Sequence, residues 1–275
     1  MSEILFTKRI YGRGPRKCNI ESFAPPPPRI FLERNMREEI AQQLLDKVRL
    51  DYDAIADDFS ATRCTLWPEM ERFRGFVKSG DRILDVGCGN GRAYQLFDGM
   101  AIEYEGIDVS MKLIEHANKK SRDLLTNFRV GSILALPYTD QDFDVVLAIA
   151  MLHHVPSRQL RLNALHEVYR VLKSGGHFLM TNWDRWKPEY WKEVIVATLK
   201  KIIGISPYDF KDIFIAWKRG DRKVQRYYHA FTMGELRELC VTVGFEVVEQ
   251  YYTDKEGKAV KWWNGKNLVT ICRKN

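Results

Sequence analysis

The sequence predicts an α/β fold: a doubly wound, mostly parallel seven-stranded sheet with helices on both faces and an antiparallel C-terminal strand. Three observations lead to this prediction. Short apolar segments alternate with helical segments from residue 82 onward. A glycine-rich turn follows the first apolar segment, and turn-forming residues at 254–265 separate the last two. Such alternation is typical of parallel strands joined by right-handed helical connections, and a turn between the last strands favours an antiparallel pair.

Each element rests on its own pattern. Before the sheet, apolar residues from Ile40 to Phe59 recur at helical spacing, so a helix or helix pair leads into the core. Ser110 has the type and position of an N-cap for the helix after the second strand. The predicted strands are residues 82–86, 102–107, 127–130, 143–150, 177–181, 245–251 and 267–272. The predicted sheet helices begin near residue 92 and after Ser110, and then cover residues 158–172 and 233–243.

The same patterns divide the chain. Residues 1–35 are an irregular, basic, Pro-rich N-terminal extension, in which the prolines at 25–28 favour polyproline II and cannot continue a helix. Residues 36–275 form one domain. Within it, residues 183–226 interrupt the strand–helix rhythm, and we interpret them as a basic insertion with its own helix near residues 190–203.

Composition limits the classes of protein. Of the 275 residues, 45% are hydrophobic and 29% are charged, which is ordinary for a globular protein. No apolar run approaches the roughly 20 residues of a transmembrane helix, and no signal peptide is evident, so we expect no membrane contact and a cytoplasmic location, with the nucleus as the alternative. The five cysteines form no C-x-x-C pair, which argues against a disulfide framework or a metal site. A net charge of +7 permits a polyanionic partner.

The most informative motif is Asp85-Val86-Gly87-Cys88-Gly89-Asn90-Gly91, at the end of the first strand. Glycines here let the backbone approach a ligand closely, and ligands of open α/β sheets bind beyond the carboxyl ends of the strands. The spacing G-x-G-x-G differs from the G-x-G-x-x-G of dinucleotide binders. The Asp85 carboxylate would repel a pyrophosphate but suits the positive charge and amino group of a sulfonium cofactor. Asp108, about twenty residues on, can accept hydrogen bonds from both ribose hydroxyls.

This stretch resembles the Class I methyltransferase superfamily, which has a Rossmann-like fold and uses S-adenosyl-L-methionine. The resemblance implies that the glycine loop holds the methionine end of the cofactor, Asp108 the ribose and the turn after Gly131 the adenine. Ser132 stands where members often have Asp, so the backbone of Ile133 is an alternative adenine contact. The implied cofactor-binding residues are Asp85, Gly87, Cys88, Gly89, Asn90, Gly91, Asp108, Val109, Ser132, Ile133 and Ala148.

Segments outside the cofactor motif carry a second resemblance. These are the Y-D-x-I-A-x-x-F-S-x-T-R segment at 52–63, the M-L-H-H-V segment at 151–155 and the Q-R-Y-Y-H-A-F segment at 225–231. From about Asp51 to the C-terminus, the chain resembles the tRNA wobble-uridine carboxymethyl methyltransferase family, which includes the domain fused to AlkB-like dioxygenases. The resemblance implies methyl esterification of 5-carboxymethyluridine at position 34 of tRNA, and a small zinc-binding activator protein as partner.

A carboxylate acceptor also makes chemical sense. With a pKa of about 4 it is already ionised at neutral pH, so it needs orientation and exclusion of water rather than a strong base. A guanidinium holds a carboxylate bidentately, and Arg226 is the first candidate and Arg63 the second. Tyr227, Tyr228, His229 and Trp67 could stack on or bond to the uridine, with packing of Tyr227 as the alternative. The candidate catalytic residues are Arg226, His154, Tyr227, His229 and Arg63.

Several alternatives stay open. His153 and His154 have no partner ligands at metal-binding spacing, so we expect no metal, and His154 either positions the acceptor or packs. Basic residues interleaved with aromatics in the insertion suit RNA, although a solvated helix face explains the lysines alone. The extension is an RNA-contacting arm or, as we prefer, a solvated tail. The other functions considered are a methyltransferase for a small molecule or quinone-like lipid, and a non-catalytic binding module, against which the intact motif argues.

Overall fold

The computed structural model describes residues 36–120, 125–219 and 222–275, which belong to one compact unit. The predicted N-terminal extension at residues 1–35 lies outside the described residues. The α-helices are α1 (Glu38–Thr62), α2 (Glu71–Arg74), α3 (Met111–Lys120), α4 (Arg158–Val171), α5 (Trp191–Ile202) and α6 (Met233–Val243). In the described part of the chain, no helix has the length and apolar character needed to cross a membrane.

The main sheet has the predicted arrangement. Its strands are β1 (Arg82–Val86), β2 (Glu103–Asp108), β3 (Thr126–Val130), β4 (Phe143–Ile149), β5 (Leu172–Trp183), β8 (Phe245–Thr253), β9 (Ala259–Val260) and β10 (Asn267–Lys274), with a separate hairpin of β6 (Asp212–Arg219) and β7 (Arg222–His229). The strand order is β3-β2-β1-β4-β5-β10-β8-β9. The first five strands pair in parallel, and β10 runs antiparallel to both β5 and β8. Apart from the two-residue edge strand β9, this is the predicted seven-stranded sheet.

Apolar side chains fill both faces of the sheet. Successive residues of a strand point to opposite faces, so Val146 joins the core against α4 and α6 while Val145 joins the core against α2 and α3. Both side chains are buried. Each buried aliphatic side chain of this size contributes about 1.5–3 kcal/mol. The central strands are therefore rigid, and their carboxyl ends form a fixed edge on which a site can be built.

Two local features differ from the sequence-based expectation. The helix expected near residue 92 is a six-residue 3-10 helix (Arg92–Phe97), bracketed by positive φ at Gly91 and Gly99. The segment after β5 contains the expected helix, as α5, and also the β6–β7 hairpin, which the sequence patterns did not predict. Because β7 extends to His229, the hairpin includes the whole R-Y-Y-H block, and this placement decides where its side chains point.

Candidate active site

A cavity of about 360 Å³ lies beyond the carboxyl ends of β1, β2 and β4, and α1 contributes to its wall. The glycine loop after β1 forms one side. Tyr52 of α1, His154 and Trp183 lie together on the wall as well. The predicted site residues that line the cavity are Arg63, Asp85, Gly87, Cys88, Gly89, Asn90, Asp108, Val109, Ser132, Ile133 and His154. The site predicted from local motifs is thus brought together by the fold.

The glycine loop has the backbone conformation that its glycines permit. Gly87 has φ of +72°, and a Cβ atom there would lie 2.1 Å from Cγ of Met151. The amides of Gly87 and Cys88 both donate to the carbonyl of Ile107, at 2.8 and 3.0 Å. Positive φ is costly for residues with a Cβ atom, so glycine is required on both steric and conformational grounds. The two hydrogen bonds hold the loop against the end of β2, and the loop lines the cavity.

Asp85 supplies a buried negative group on the cavity wall. One carboxylate oxygen, Oδ2, accepts from the Tyr104 hydroxyl at 2.8 Å, whereas Oδ1 is buried without a hydrogen-bond partner. Burial raises the pKa of Asp85 to about 7. An unpartnered carboxylate oxygen costs free energy until a donor reaches it. The residues present therefore fit a cationic, amino-bearing ligand such as the methionine end of S-adenosylmethionine.

Asp108 is fixed by the backbone. Its Oδ2 accepts from the amide of Gly89 at 2.9 Å, and its Oδ1 accepts from the amide of Ser110 at 2.8 Å. The Ser110 hydroxyl caps α3 as predicted, accepting from the amide of Leu113. Burial raises the pKa of Asp108 to about 6. Each carboxylate oxygen keeps a second lone pair, so the group can also accept from the two hydroxyls of a ribose.

Other predicted cofactor residues have structural contacts of their own. The Ser132 hydroxyl accepts from the amide of Leu134 at 3.2 Å and so stabilises its own turn. Asn90 donates to the carbonyl of Arg63 at 3.1 Å, which ties the loop to the end of α1. Gly91 does not line the cavity but packs against Phe128. Ala148 is fully buried in the core, and the cavity is lined instead by the next three residues, Ile149, Ala150 and Met151, of which Ala150 has φ of +54°.

At the far end of the cavity, Tyr52 and His154 form a hydrogen-bonded pair. His154 Nδ1 lies 2.8 Å from the carbonyl oxygen of Tyr227, which can only accept, so Nδ1 carries the proton. His154 Nε2 then accepts from the Tyr52 hydroxyl at 2.8 Å. Burial lowers the pKa of His154 to about 3. His154 is therefore neutral, with both ring nitrogens engaged, and it positions Tyr52 instead of acting as a free base.

Arg226 is buried beside this pair without a counter-ion. Its Nε and Nη1 have no hydrogen-bond partner, and none of the described residues forms an ion pair with it. Its guanidinium carbon lies 5.5 Å from the ring centroid of Trp183 and 5.4 Å from that of Tyr228. Burial raises the pKa of Tyr52, and a hydrogen bond from Arg226 partly offsets this increase. Arg226 does not itself line the cavity, but it contacts two residues that do, Tyr52 and Trp183.

Tyr227 and His229 of β7 lie on the face of the hairpin opposite to Arg226. Because side chains alternate along a strand, Arg226 and Tyr228 face Trp183 while Tyr227 and His229 face Asp212. The Tyr227 hydroxyl donates to Asp212 Oδ1 at 2.9 Å, and the His229 ring lies between Asp212 and Glu235, at 2.8 Å from each. Neither side chain lines the cavity. The expectation that Tyr227 and His229 contact a uridine does not match this placement, which instead makes them buried supports of the hairpin.

Among the lining residues for which the sequence predicted no role are Tyr52 and Trp183, whereas Trp67, a predicted uridine contact, does line the cavity. Tyr52 belongs to a segment that carried the resemblance, but nothing in a single sequence indicated that it would meet His154. Trp183 ends β5, and position at the carboxyl end of a strand was the available signal. Trp67 lies against Arg92, whose guanidinium carbon is 4.4 Å from the ring centroid.

Comparisons with known proteins agree with this geometry. Residues 84–180 match the family model described as methyltransferase domain. The chain is 30% identical over 232 residues to the tRNA (carboxymethyluridine(34)-5-O)-methyltransferase of Schizosaccharomyces pombe, covering 77% of this chain and 92% of that protein. It spans only 34% of the length of a relative of the same name from Arabidopsis thaliana.

Solved structures with similar folds include methyltransferases. A SAM-dependent methyltransferase from Methanosarcina mazei has a TM-score of 0.62 at 23% identity, over 76% of this chain and 98% of that one. A chain from the complex of the Haloferax volcanii Trm112 methyltransferase activator has a TM-score of 0.56 at 21% identity, over 82% and 96%. At these identities the likeness establishes the fold. With the match to the fission yeast protein, it follows that the chain belongs to the S-adenosylmethionine-dependent methyltransferase family that includes that enzyme.

Proposed function

We propose that this protein methylates the carboxymethyl group of a 5-carboxymethyluridine at the wobble position of tRNA, forming a methyl ester. The observation that carries the proposal is the buried Arg226 guanidinium, which lacks a counter-ion and lies beside the cavity wall formed by Tyr52 and Trp183. A buried cation of this kind suits a planar carboxylate, which two parallel N–H donors can hold. The name of the fission yeast relative supports the same acceptor.

The cofactor end would be held by the residues of the glycine loop and β2. Asp85 would accept from the amino group of S-adenosylmethionine, and Asp108 from the ribose hydroxyls. The loop Gly87–Gly91, Val109 and the Ser132–Ile133 turn would surround the remainder. When bound, the cofactor supplies an electrophilic methyl group. Transfer would form an O–CH₃ bond at the acceptor oxygen as the S–CH₃ bond breaks with its electron pair left on sulfur, so no residue of the protein would need to move a proton.

The neutral state of His154 supports an acceptor that is ionised before it binds. A carboxylate with a pKa of about 4 carries its charge at neutral pH without help. An amine or carbon acceptor would need a base to remove a proton, and His154 already uses both ring nitrogens. Tyr52, held by His154 and close to Arg226, would orient the carboxylate for in-line attack and exclude water. Arg63, which follows α1 and also lines the cavity, is the second candidate contact.

A tRNA partner suits the outer surface of the insertion. Basic side chains of α5 and the hairpin are exposed, among them Lys192, Lys200, Lys218 and Lys223. Contacts of this kind bind phosphates and make affinity depend on salt. We also propose a small zinc-binding activator as partner, because a chain of the same fold is bound to the Trm112 activator. Such a substrate would place the protein in the cytoplasm or the nucleus.

The test is methyl transfer from labelled cofactor to tRNA that carries 5-carboxymethyluridine, with and without a zinc-binding activator. We expect label on the wobble uridine that mild alkali removes as methanol, because the product is an ester. The matched control is the same tRNA with unmodified uridine, which should stay unlabelled. Alkali-stable label, or label only on a small-molecule or quinone-like acceptor, would contradict the proposal and leave the cofactor assignment standing.

A further inference from the structure

A second buried arginine lies beside Arg226 and has no place in the site described so far. Arg185 follows β5 and is 5% exposed. Its guanidinium carbon lies 4.3 Å from the ring centroid of Trp183, 4.5 Å from that of Tyr190 and 4.7 Å from that of Tyr228. Arg185 and Arg226 therefore share two aromatic rings, Trp183 and Tyr228, which are themselves stacked at 5.5 Å.

The arrangement concentrates positive charge with no counter-ion in contact. No carboxylate among the described residues forms an ion pair with Arg185 or Arg226. The pKa of Arg185 is lowered chiefly by burial, and the neighbouring Arg226 lowers it further. The carboxylate of Asp184 acts on Arg185 electrostatically without pairing with it: its Oδ1 accepts from the amide of Trp186, and its Oδ2 is buried without a hydrogen-bond partner beside Gly265. Two like charges on the same pair of rings repel, and aromatic faces offset only part of that cost.

The unpartnered polar atoms around these rings are mostly hydrogen-bond donors. They include Nε of Arg185, Nε and Nη1 of Arg226 and the amide nitrogen of Asn182, together with the Tyr228 hydroxyl. His153, whose Nε2 also lacks a partner, stacks on Tyr228 at 5.2 Å and lies 3.2 Å from Asn182 through Nδ1. A group of donors without acceptors is completed by a ligand that brings acceptor oxygens and negative charge.

We propose that Arg185 and Arg226 together form one anion-binding subsite that takes the carboxylate of the acceptor and rejects its methyl ester. The inference rests on the proposed function for the identity of the acceptor. The carboxylate offsets one of the two positive charges when it binds, and its oxygens accept hydrogen bonds from both guanidiniums. Methylation removes that charge, so the product leaves the two cations uncompensated and dissociates. The subsite thus selects the substrate over both unmodified uridine and the finished ester.

The test compares three anticodon stem-loops that differ only at the wobble base: uridine, 5-carboxymethyluridine and its methyl ester. Fluorescence anisotropy measures their affinities in the presence of S-adenosylhomocysteine, for the wild type and for Arg185→Gln. We expect the wild type to prefer the carboxylate by roughly 10- to 100-fold, the size of a charge-assisted hydrogen bond. Arg185→Gln should lose most of this preference and bind the other two stem-loops as the wild type does. Arg185→Lys, which keeps the charge but not the planar fork, should retain part of it.

A melting experiment separates this role from a structural one. Arg185 has no counter-ion and is repelled by Arg226, and its aromatic contacts offset only part of the cost of its burial, so Arg185→Gln should leave the melting temperature unchanged or raise it. The matched control is Arg161→Gln, because Arg161 is equally buried but bonds to the carbonyl of Val155 and lies 3.8 Å from Asp209. That change should lower the melting temperature. A lowered melting temperature for Arg185→Gln with intact carboxylate preference would overturn the inference.

The anion-binding subsite can also be tested independently of the proposed function. If the wild type transfers no methyl group to tRNA, the proposed function falls, and the subsite is judged by acetate. Sodium acetate should then raise the melting temperature of the wild type above that in sodium chloride of equal ionic strength, and neutral acetamide should not. Arg185→Gln should abolish the difference. Equal stabilisation of wild type and variant would mean that Arg185 holds no carboxylate.

Discussion

The two ends of the cavity have opposite charge and different construction. At the cofactor end, Asp85 and Asp108 are buried carboxylates fixed by Tyr104 and by backbone amides. At the acceptor end, Arg226 is a buried guanidinium held by aromatic rings. The first end would bind a cation and the second an anion, so each keeps the reactants in place by charge. With this separation, a sulfonium and a carboxylate would each meet a group of opposite charge, while the carboxylates of the cofactor end stay apart from Arg226.

The variant Arg226→Ala tests most directly whether the acceptor end and the cofactor end act independently. Removing one partner of a buried charge pair costs about 3–5 kcal/mol, so turnover should fall at least 100-fold. Cofactor affinity should stay within about twofold, because Arg226 lies at the acceptor end. Activity on carboxymethyl tRNA and calorimetric cofactor binding measure the two effects. Loss of both together would mean that the ends are not independent, and circular dichroism would then show whether the variant had unfolded.

The variant Asp108→Ala tests the cofactor end, with affinity for the acceptor as the control. The carboxylate would accept two ribose hydroxyls and already fixes the glycine loop through Gly89. Charge-assisted hydrogen bonds contribute about 1.5–3 kcal/mol each, so cofactor affinity should fall roughly 100-fold or more by calorimetry. Affinity for a 5-carboxymethyluridine stem-loop should change little. An unchanged cofactor dissociation constant would remove Asp108, and with it the ribose assignment, from the proposed site.

The ends also differ in how far the sequence predicted them. Asp85, the glycines and Asp108 belong to two consecutive strand ends, so short-range spacing was enough to locate them. The acceptor end combines residues near positions 52, 154, 183 and 226, which only the folded sheet brings together. The R-Y-Y-H block looked like a single cluster of contacts. Once β7 is known to be a strand, alternation sends Tyr227 and His229 to the opposite face from Arg226.

The pH dependence of cofactor binding tests the cofactor end without mutation. The pKa values of about 7 for Asp85 and about 6 for Asp108 are raised by burial above the values of unfolded carboxyls. The folded free protein therefore binds more protons than the unfolded chain between about pH 4 and 7, and these groups reduce its stability as pH rises through that window.

A cationic cofactor prefers the ionised carboxylates, so its affinity should rise with pH and be about tenfold weaker at pH 6 than at pH 8. Calorimetry in buffers of different ionisation enthalpy should detect proton release at pH 6 that vanishes at pH 8. Asp85→Asn provides the control, since it should flatten most of the dependence. The same steep dependence in that variant would assign the titration to another group.

The smallest expected effect concerns Ser132, where the sequence and the fold suggest different roles. The resemblance to methyltransferases puts this residue beside the adenine, yet its hydroxyl already accepts from the amide of Leu134 in its own turn. A neutral hydroxyl engaged in this way has little to offer the adenine amino group, and the cofactor end would rely on Asp108 and the backbone. Ser132→Ala should therefore weaken cofactor binding by less than about threefold, whereas Ser132→Asp should strengthen it by adding a charged acceptor. A tenfold loss in Ser132→Ala, with an unchanged melting temperature, would instead make the hydroxyl a direct adenine contact.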